Sequence, residues 1–233
     1  MTSFFQEPDF TNEWVEATQD EIRATPMLYR CDLNYSYRLG GRIVRAFIDR
    51  AARIIDPQDF QFASLDTRTH MLMPGFMPCI PGWHCDDFWR PDPKGRAGTF
   101  SDENAPEPDL HNVPRMRHLQ ATFGYPAFPV FLPADIAAQL PRPEHLDRRA
   151  DETLYASYHQ NIENFLGHVG GDLRHAGNGQ LISFGPRVFH RGTVARTSGW
   201  RLFCRLTLSN HHQPVNEIRT QTQVYLPDPY RGW

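Results

Sequence analysis

Two side chains one residue apart, His84 and Asp86, are the first place in this chain where residue types and spacing could hold a metal. In an extended segment positions i and i+2 share a face, so the imidazole and the carboxylate point the same way. One further imidazole from a neighbouring strand would give two histidines and a carboxylate over one face of an ion. That donor set, with the remaining positions open, suits non-haem Fe(II) and oxygen chemistry. The spacing alone is weak evidence, since eleven histidines yield roughly one such pair by accident. The chain in fact has a second, His145-Leu146-Asp147, in a polar Pro/Arg-rich stretch without strand character. It leaves too little chain before His190 for the strands of a barrel. His84 lies among Trp83, Phe88 and Trp89, directly after a strand pattern, and is preferred.

The second stretch with chemistry in it is Gly179 to Ser209. Leu181, Ile182 and Phe184 read as a strand, a Gly-Pro turn follows, and a second strand edge ends at His190. A third strand starts at Trp200. Along it Arg201, Phe203, Arg205, Thr207 and Ser209 alternate with Leu202, Cys204, Leu206 and Leu208, which puts both arginines on one face. A buried guanidinium without a partner is very costly, so this face asks for an anion or carboxylates.

Gly-x-Leu-Ile-x-Phe, then five residues, then His-x-Gly and an arginine strand, resembles the second half of the 2-oxoglutarate/Fe(II)-dependent dioxygenase superfamily. The closest branches are the taurine-dioxygenase-like and phytanoyl-CoA-hydroxylase-like ones. The resemblance covers about Leu65 to Ser209 and implies a motif HxD…H…R: His84, Asp86 and His190 as metal ligands, and Arg201, eleven residues after His190. It implies Fe(II) and 2-oxoglutarate as cofactors, with Arg201 pairing the far carboxylate of the keto acid, for which a planar fork is suited. The implied reaction couples oxidative decarboxylation of 2-oxoglutarate to hydroxylation of a substrate C–H by molecular oxygen. Asp86 argues against a halogenase, which lacks the carboxylate. Gln120 and Thr122, on a strand expected to line the barrel, are candidates for added hydrogen bonds to the cosubstrate, against a favoured structural role. Arg205 either binds an acidic group of the substrate or pairs with a surface acid. Trp83, Phe88 and Trp89 either wall a substrate pocket or belong to the core. Asp87 reads as a lid or supporting contact, and Cys85 points away from its neighbours. A cupin-like metal enzyme without 2-oxoglutarate and a metal-free jelly-roll binding module are the competing readings.

These residues need elements to hold them. The pattern is mainly β with some helix, and the expected fold is a double-stranded β-helix (jelly roll) flanked by N-terminal helices. The chain reads as a single domain over 1–233: a helical buttress over 1–58, then a jelly-roll core over 59–233 with a lid-like insert at 90–117. Residues 11–25 suggest a short helix capped by Thr11 or Asn12, and Gly40 to Ile55 suggests an amphipathic one stopped by Asp56-Pro57. A strand follows from Asp59, two more over HLQATFG and FPVFLP, and a last one over Ile218 to Val224. PADIAAQL suggests a helical turn or two, and Asp151 to Leu166 fits a helix. Met71, Met73 and Met77 read as core filler.

Composition narrows the partners. At 233 residues the chain can bury a sizeable core. Twenty prolines against sixteen glycines favour short elements and turns. A net charge of -3, with Lys94 the only lysine and no basic run, makes nucleic acid an unlikely partner and leaves a small molecule. Four cysteines without a CxxC pair, and a start rich in acids, point to reduced thiols and a cytoplasmic location. No window has the apolar length of a membrane span.

Overall fold

A computed structural model describes residues 3–86, 111, 115–147, 149 and 152–227. Among them the strands are β1 (Asp9–Trp14), β2 (Met27–Tyr29), β3 (Phe62–Leu72), β4 (Met116–Phe123) and β5 (Pro129–Phe131), then β6 (Arg174–His175), β7 (Gln180–Phe184), β8 (His190–Gly192), β9 (Gly199–Ser209) and β10 (Glu217–Arg219). The helices are α1 (Gln19–Ala24), α2 (Leu33–Leu39), α3 (Gly41–Ala51), α4 (Ala134–Ala137) and α5 (Leu154–Val169).

The arginine strand β9 is the spine. It pairs along its full length with β3 and from Leu202 to Ser209 with β4, inside a five-stranded antiparallel sheet ordered β1-β7-β4-β9-β3. Period two does what it must there. Leu202, Cys204, Leu206 and Leu208 join Leu65, Leu119, Ala121 and Leu181 in one apolar layer, against Ile43, Val44, Phe47 and Ala51 of α3. The opposite face of the sheet is polar. His118, Gln120 and Thr122 of β4 stand across from Thr207, Arg205 and Phe203, and Asp66 and His70 of β3 stand across from Arg205 and Arg201.

A three-stranded sheet, β6-β5-β8, covers that polar face. Phe131 of β5 meets Phe184 of β7 at 5.6 Å between ring centroids, and His190 of β8 meets the same ring at 5.3 Å. The outer side of the small sheet is closed by α4 and α5 through Val130, Leu132, Ile136, Tyr158, Ile162 and Phe189. The protein is therefore mainly β, with antiparallel sheets packed as in a β-sandwich.

Local chemistry explains the helix limits. The start of α1 is a capping box: the Glu21 N–H donates to Thr18 Oγ1 at 3.3 Å, and the Thr18 N–H donates back to Glu21 Oε2 at 2.9 Å. This corrects the expected helix over 11–25, whose first part is strand β1, edging the sheet against β7. Asp32 caps the unforeseen α2 by accepting from the Tyr35 N–H at 2.7 Å. Gly40 joins α2 to α3 where a Cβ would press on Val44 and the Ser36 carbonyl. At Gly124, φ is +90° and a Cβ would run into the Trp200 carbonyl oxygen, so the β4 exit needs glycine.

Other expectations shift. Met71 and Met73 are about half exposed, at 49% and 55%, while Met77 alone is core. Met116, placed in the insert by sequence, is a buried residue of β4. The last strand is only Glu217–Arg219 and pairs with β2. Most of the insert, Phe88 and Trp89 lie outside the described residues.

Candidate metal centre

His84 and His190 face each other across two backbone hydrogen bonds. The His84 N–H donates to the His190 carbonyl at 3.1 Å, and the His190 N–H returns the bond at 3.0 Å. The pair extends the edge of the small sheet over the polar face of the large one. Asp86, two residues on, returns to the same side, as the i, i+2 rule requires. One ligand atom from each of His84, Asp86 and His190 lies within 4.8 Å of the others. His190 Nε2 is 3.4 Å from Asp86 Oδ2, and His84 Nε2 is 3.8 Å from Asp86 Oδ1. Adjacent ligands each about 2.1 Å from one ion stand about 3 Å apart, so a small contraction would close the set.

Both rings are held in the orientation a metal needs. His84 Nδ1 is 3.0 Å from the Gly82 carbonyl, and His190 Nδ1 is 3.1 Å from the Val188 carbonyl. A carbonyl only accepts, so each Nδ1 carries a proton, and each Nε2, on the Asp86 side, is the atom a metal would take. Burial, reinforced by His190, pushes His84 down to about 4, which keeps that imidazole neutral. Burial alone would raise the Asp86 carboxyl. His190 and Arg205 beside it outweigh burial and hold it well below the usual carboxylate range. Neutral imidazole and ionised carboxylate are the forms that bind metal. Side-chain exposures of 17%, 21% and 8% for His84, Asp86 and His190 mean that solvent reaches all three only in part.

Arg205 is not a free anion receptor. Its Nη1 donates to Asp86 Oδ2 at 2.6 Å, and its Nη2 lies 4.0 Å from Asp66 Oδ2. Of the two sequence alternatives the acid partner is the one observed, but that acid is the candidate ligand, not a surface group. Arg201 is different. It is 4% exposed, with Nε donating to the Ala127 carbonyl at 2.9 Å and Nη2 to Thr122 Oγ1 at 3.4 Å. No carboxylate among the described residues forms an ion pair with it, and burial draws its pKa down to about 10. A buried cation held only by neutral acceptors is one that a nearby anion would stabilise. Thr122 touches it, and Gln120, 3% exposed, lies opposite Arg205 on the same face.

Trp83 belongs to the core. It is fully buried among the side chains under α5, on the opposite side of its strand from His84, and does not wall the site. Sequence reasoning missed Asp66 and His70, although alternation along β3 would have placed both on the face of Arg205 and Arg201. It also missed Tyr155, His159 and Glu163, whose only signal was the four-residue spacing within α5.

Comparison with known proteins finds no matching protein family and no matching curated protein. Among solved structures, iron-bound HygX from Streptomyces hygroscopicus resembles the chain with 13% identity and a TM-score of 0.37, covering 84% of this chain and 87% of the other. A likeness that distant decides neither fold nor chemistry. Among the described residues no helix is long and apolar enough to cross a membrane.

Proposed function

We propose that this chain is a non-haem Fe(II) oxygenase that uses 2-oxoglutarate, built as one jelly-roll domain and hydroxylating a small polar or acidic molecule. One observation carries the reading: two imidazoles, each with Nδ1 on a backbone carbonyl, and one carboxylate converge on a shared point. His84, Asp86 and His190 would hold the iron, whose chemistry when bound is the activation of oxygen for C–H oxidation. Arg201, a buried cation with no carboxylate partner among the described residues, would pair the far carboxylate of 2-oxoglutarate, with the Thr122 hydroxyl beside it. Gln120 would add a donor to the same face. Arg205 keeps Asp86 ionised and fixes its orientation through the 2.6 Å bond. The sheets on either side limit the water that reaches Arg201, which strengthens its hold on an anion.

The test is anaerobic reconstitution with Fe(II) and 2-oxoglutarate, followed by oxygen and assay of succinate. Succinate should form in step with oxygen uptake in the wild type and not in His190→Ala. Arg201→Ala should weaken 2-oxoglutarate binding by about 10- to 150-fold, the loss of roughly 1.5–3 kcal/mol of charge-assisted hydrogen bonding. Iron binding with no affinity for 2-oxoglutarate would overturn the cosubstrate and leave a cupin-like metal enzyme. Failure to take up any divalent metal would overturn the whole reading.

A further inference from the structure

The ligand-bearing segments are gripped from behind by one stripe of α5. Tyr155, His159 and Glu163 recur every four residues and so share a face of that helix. The Tyr155 hydroxyl donates to the Cys85 carbonyl at 2.9 Å, and the Trp83 backbone N–H donates to His159 Nδ1 at 3.4 Å. The Trp83 indole N–H donates to Glu163 Oε1 at 2.8 Å. Arg191 Nη1 donates to that same oxygen at 2.7 Å, and its guanidinium lies over the Trp83 ring, 4.6 Å from the centroid.

Each residue named in these bonds as a partner of the stripe is the chain neighbour of a candidate ligand. Trp83 and Cys85 flank His84, Cys85 precedes Asp86, and Arg191 follows His190. Neighbours on a strand point to opposite sides, so what α5 holds is the reverse of the metal-facing surface. Within the stripe, Glu163 is the residue whose one oxygen accepts hydrogen bonds from both segments. Trp83, Glu163 and Arg191 close a triangle of two hydrogen bonds and one cation–π contact across the His84–His190 pair.

We propose that Glu163 is a positioning residue: from α5 it ties the His84 segment to the His190 strand and sets the separation of the two imidazoles that a divalent cation would bridge. This rests on the metal-centre reading above. An exposed ion pair alone contributes little to stability, so the effect belongs to the geometry of the site. Removing a group that orients metal ligands typically weakens metal affinity by roughly 10- to 100-fold.

The experiment is titration of the metal-free protein with Mn(II), reading the free ion by electron paramagnetic resonance. Glu163→Ala should raise the Mn(II) dissociation constant about tenfold or more. Its metal-free stability should fall by no more than the loss of one buried hydrogen bond. Glu163→Gln keeps an acceptor for the indole and should recover part of the affinity. The Co(II) absorption spectrum should change in Glu163→Ala and return toward wild type in Glu163→Gln. Arg50→Ala, which removes a surface pair with Glu13 at 3.1 Å, should leave Mn(II) affinity unchanged. Wild-type affinity in Glu163→Ala, or an equal loss in Arg50→Ala, would overturn the proposal. A wild type that binds no Mn(II) would instead overturn the metal centre, and the positioning role with it.

Discussion

His70 shows how this polar face handles a buried histidine that is not a candidate ligand. It is 1% exposed, stands opposite Arg201, and has Nε2 2.9 Å from Thr222 Oγ1. Burial, with Arg201 and Arg68 adding to it, pushes its pKa down to about 3. An unfolded histidine titrates near 6.5. Between those values the unfolded chain binds a proton that the folded chain refuses, so stability is full above about pH 6.5 and falls as pH drops toward 3. The urea midpoint of the metal-free protein should fall between about pH 7 and pH 4, and His70→Gln should flatten that fall. At this scale much of the site was legible, because His84, Asp86, His190 and both arginines follow from alternation and one motif. The partner of Arg205 was not, since Asp86 reaches it only once two sheets are stacked. Nor was the place of Trp83: an aromatic beside a ligand looks the same in sequence whether it faces the pocket or the helix behind.

Among the elements, the strongest sequence signals gave the right structures. The three- and four-residue spacing of Ile43, Val44, Phe47 and Ala51 made α3, and alternation made β3, β4 and β9. Weak or mixed signals misled. β1 is half-exposed and polar, so it lacks the alternation of an inner strand and was read as helix. The true start of α1 was present as Thr18 and Glu21 in capping-box spacing, three residues apart. α3 lies on the far side of the large sheet from the candidate metal centre, and this separates stability from chemistry. Phe47 is fully buried there. Phe47→Ala should destabilise the protein by about 3–5 kcal/mol in chemical denaturation. The fraction that remains folded should bind Mn(II) as the wild type does.

For the whole molecule, the candidate centre joins parts of the chain that are otherwise remote. His84 and Asp86 precede the insert, and His190 comes late, at the start of β8 and just before the spine β9. A cation bound there acts on the folded state alone, because the unfolded chain does not hold the three groups together. At a hundredfold excess over the dissociation constant it should add about 2.7 kcal/mol. For a chain of this size that corresponds to roughly 5–10 °C in thermal midpoint. Differential scanning calorimetry with and without Mn(II) should show this shift in the wild type and not in Asp86→Ala.

The pairing of residue 84 with residue 190 carries a consequence of its own. Both imidazoles take their direction from one antiparallel bridge, so a slip of one position would turn one ring toward α5 and leave the other behind. Donors that depend on a single alignment cannot be approximated by a near miss. The centre is either whole or absent, and uptake of an ion would report, molecule by molecule, which chains had matched their edges correctly.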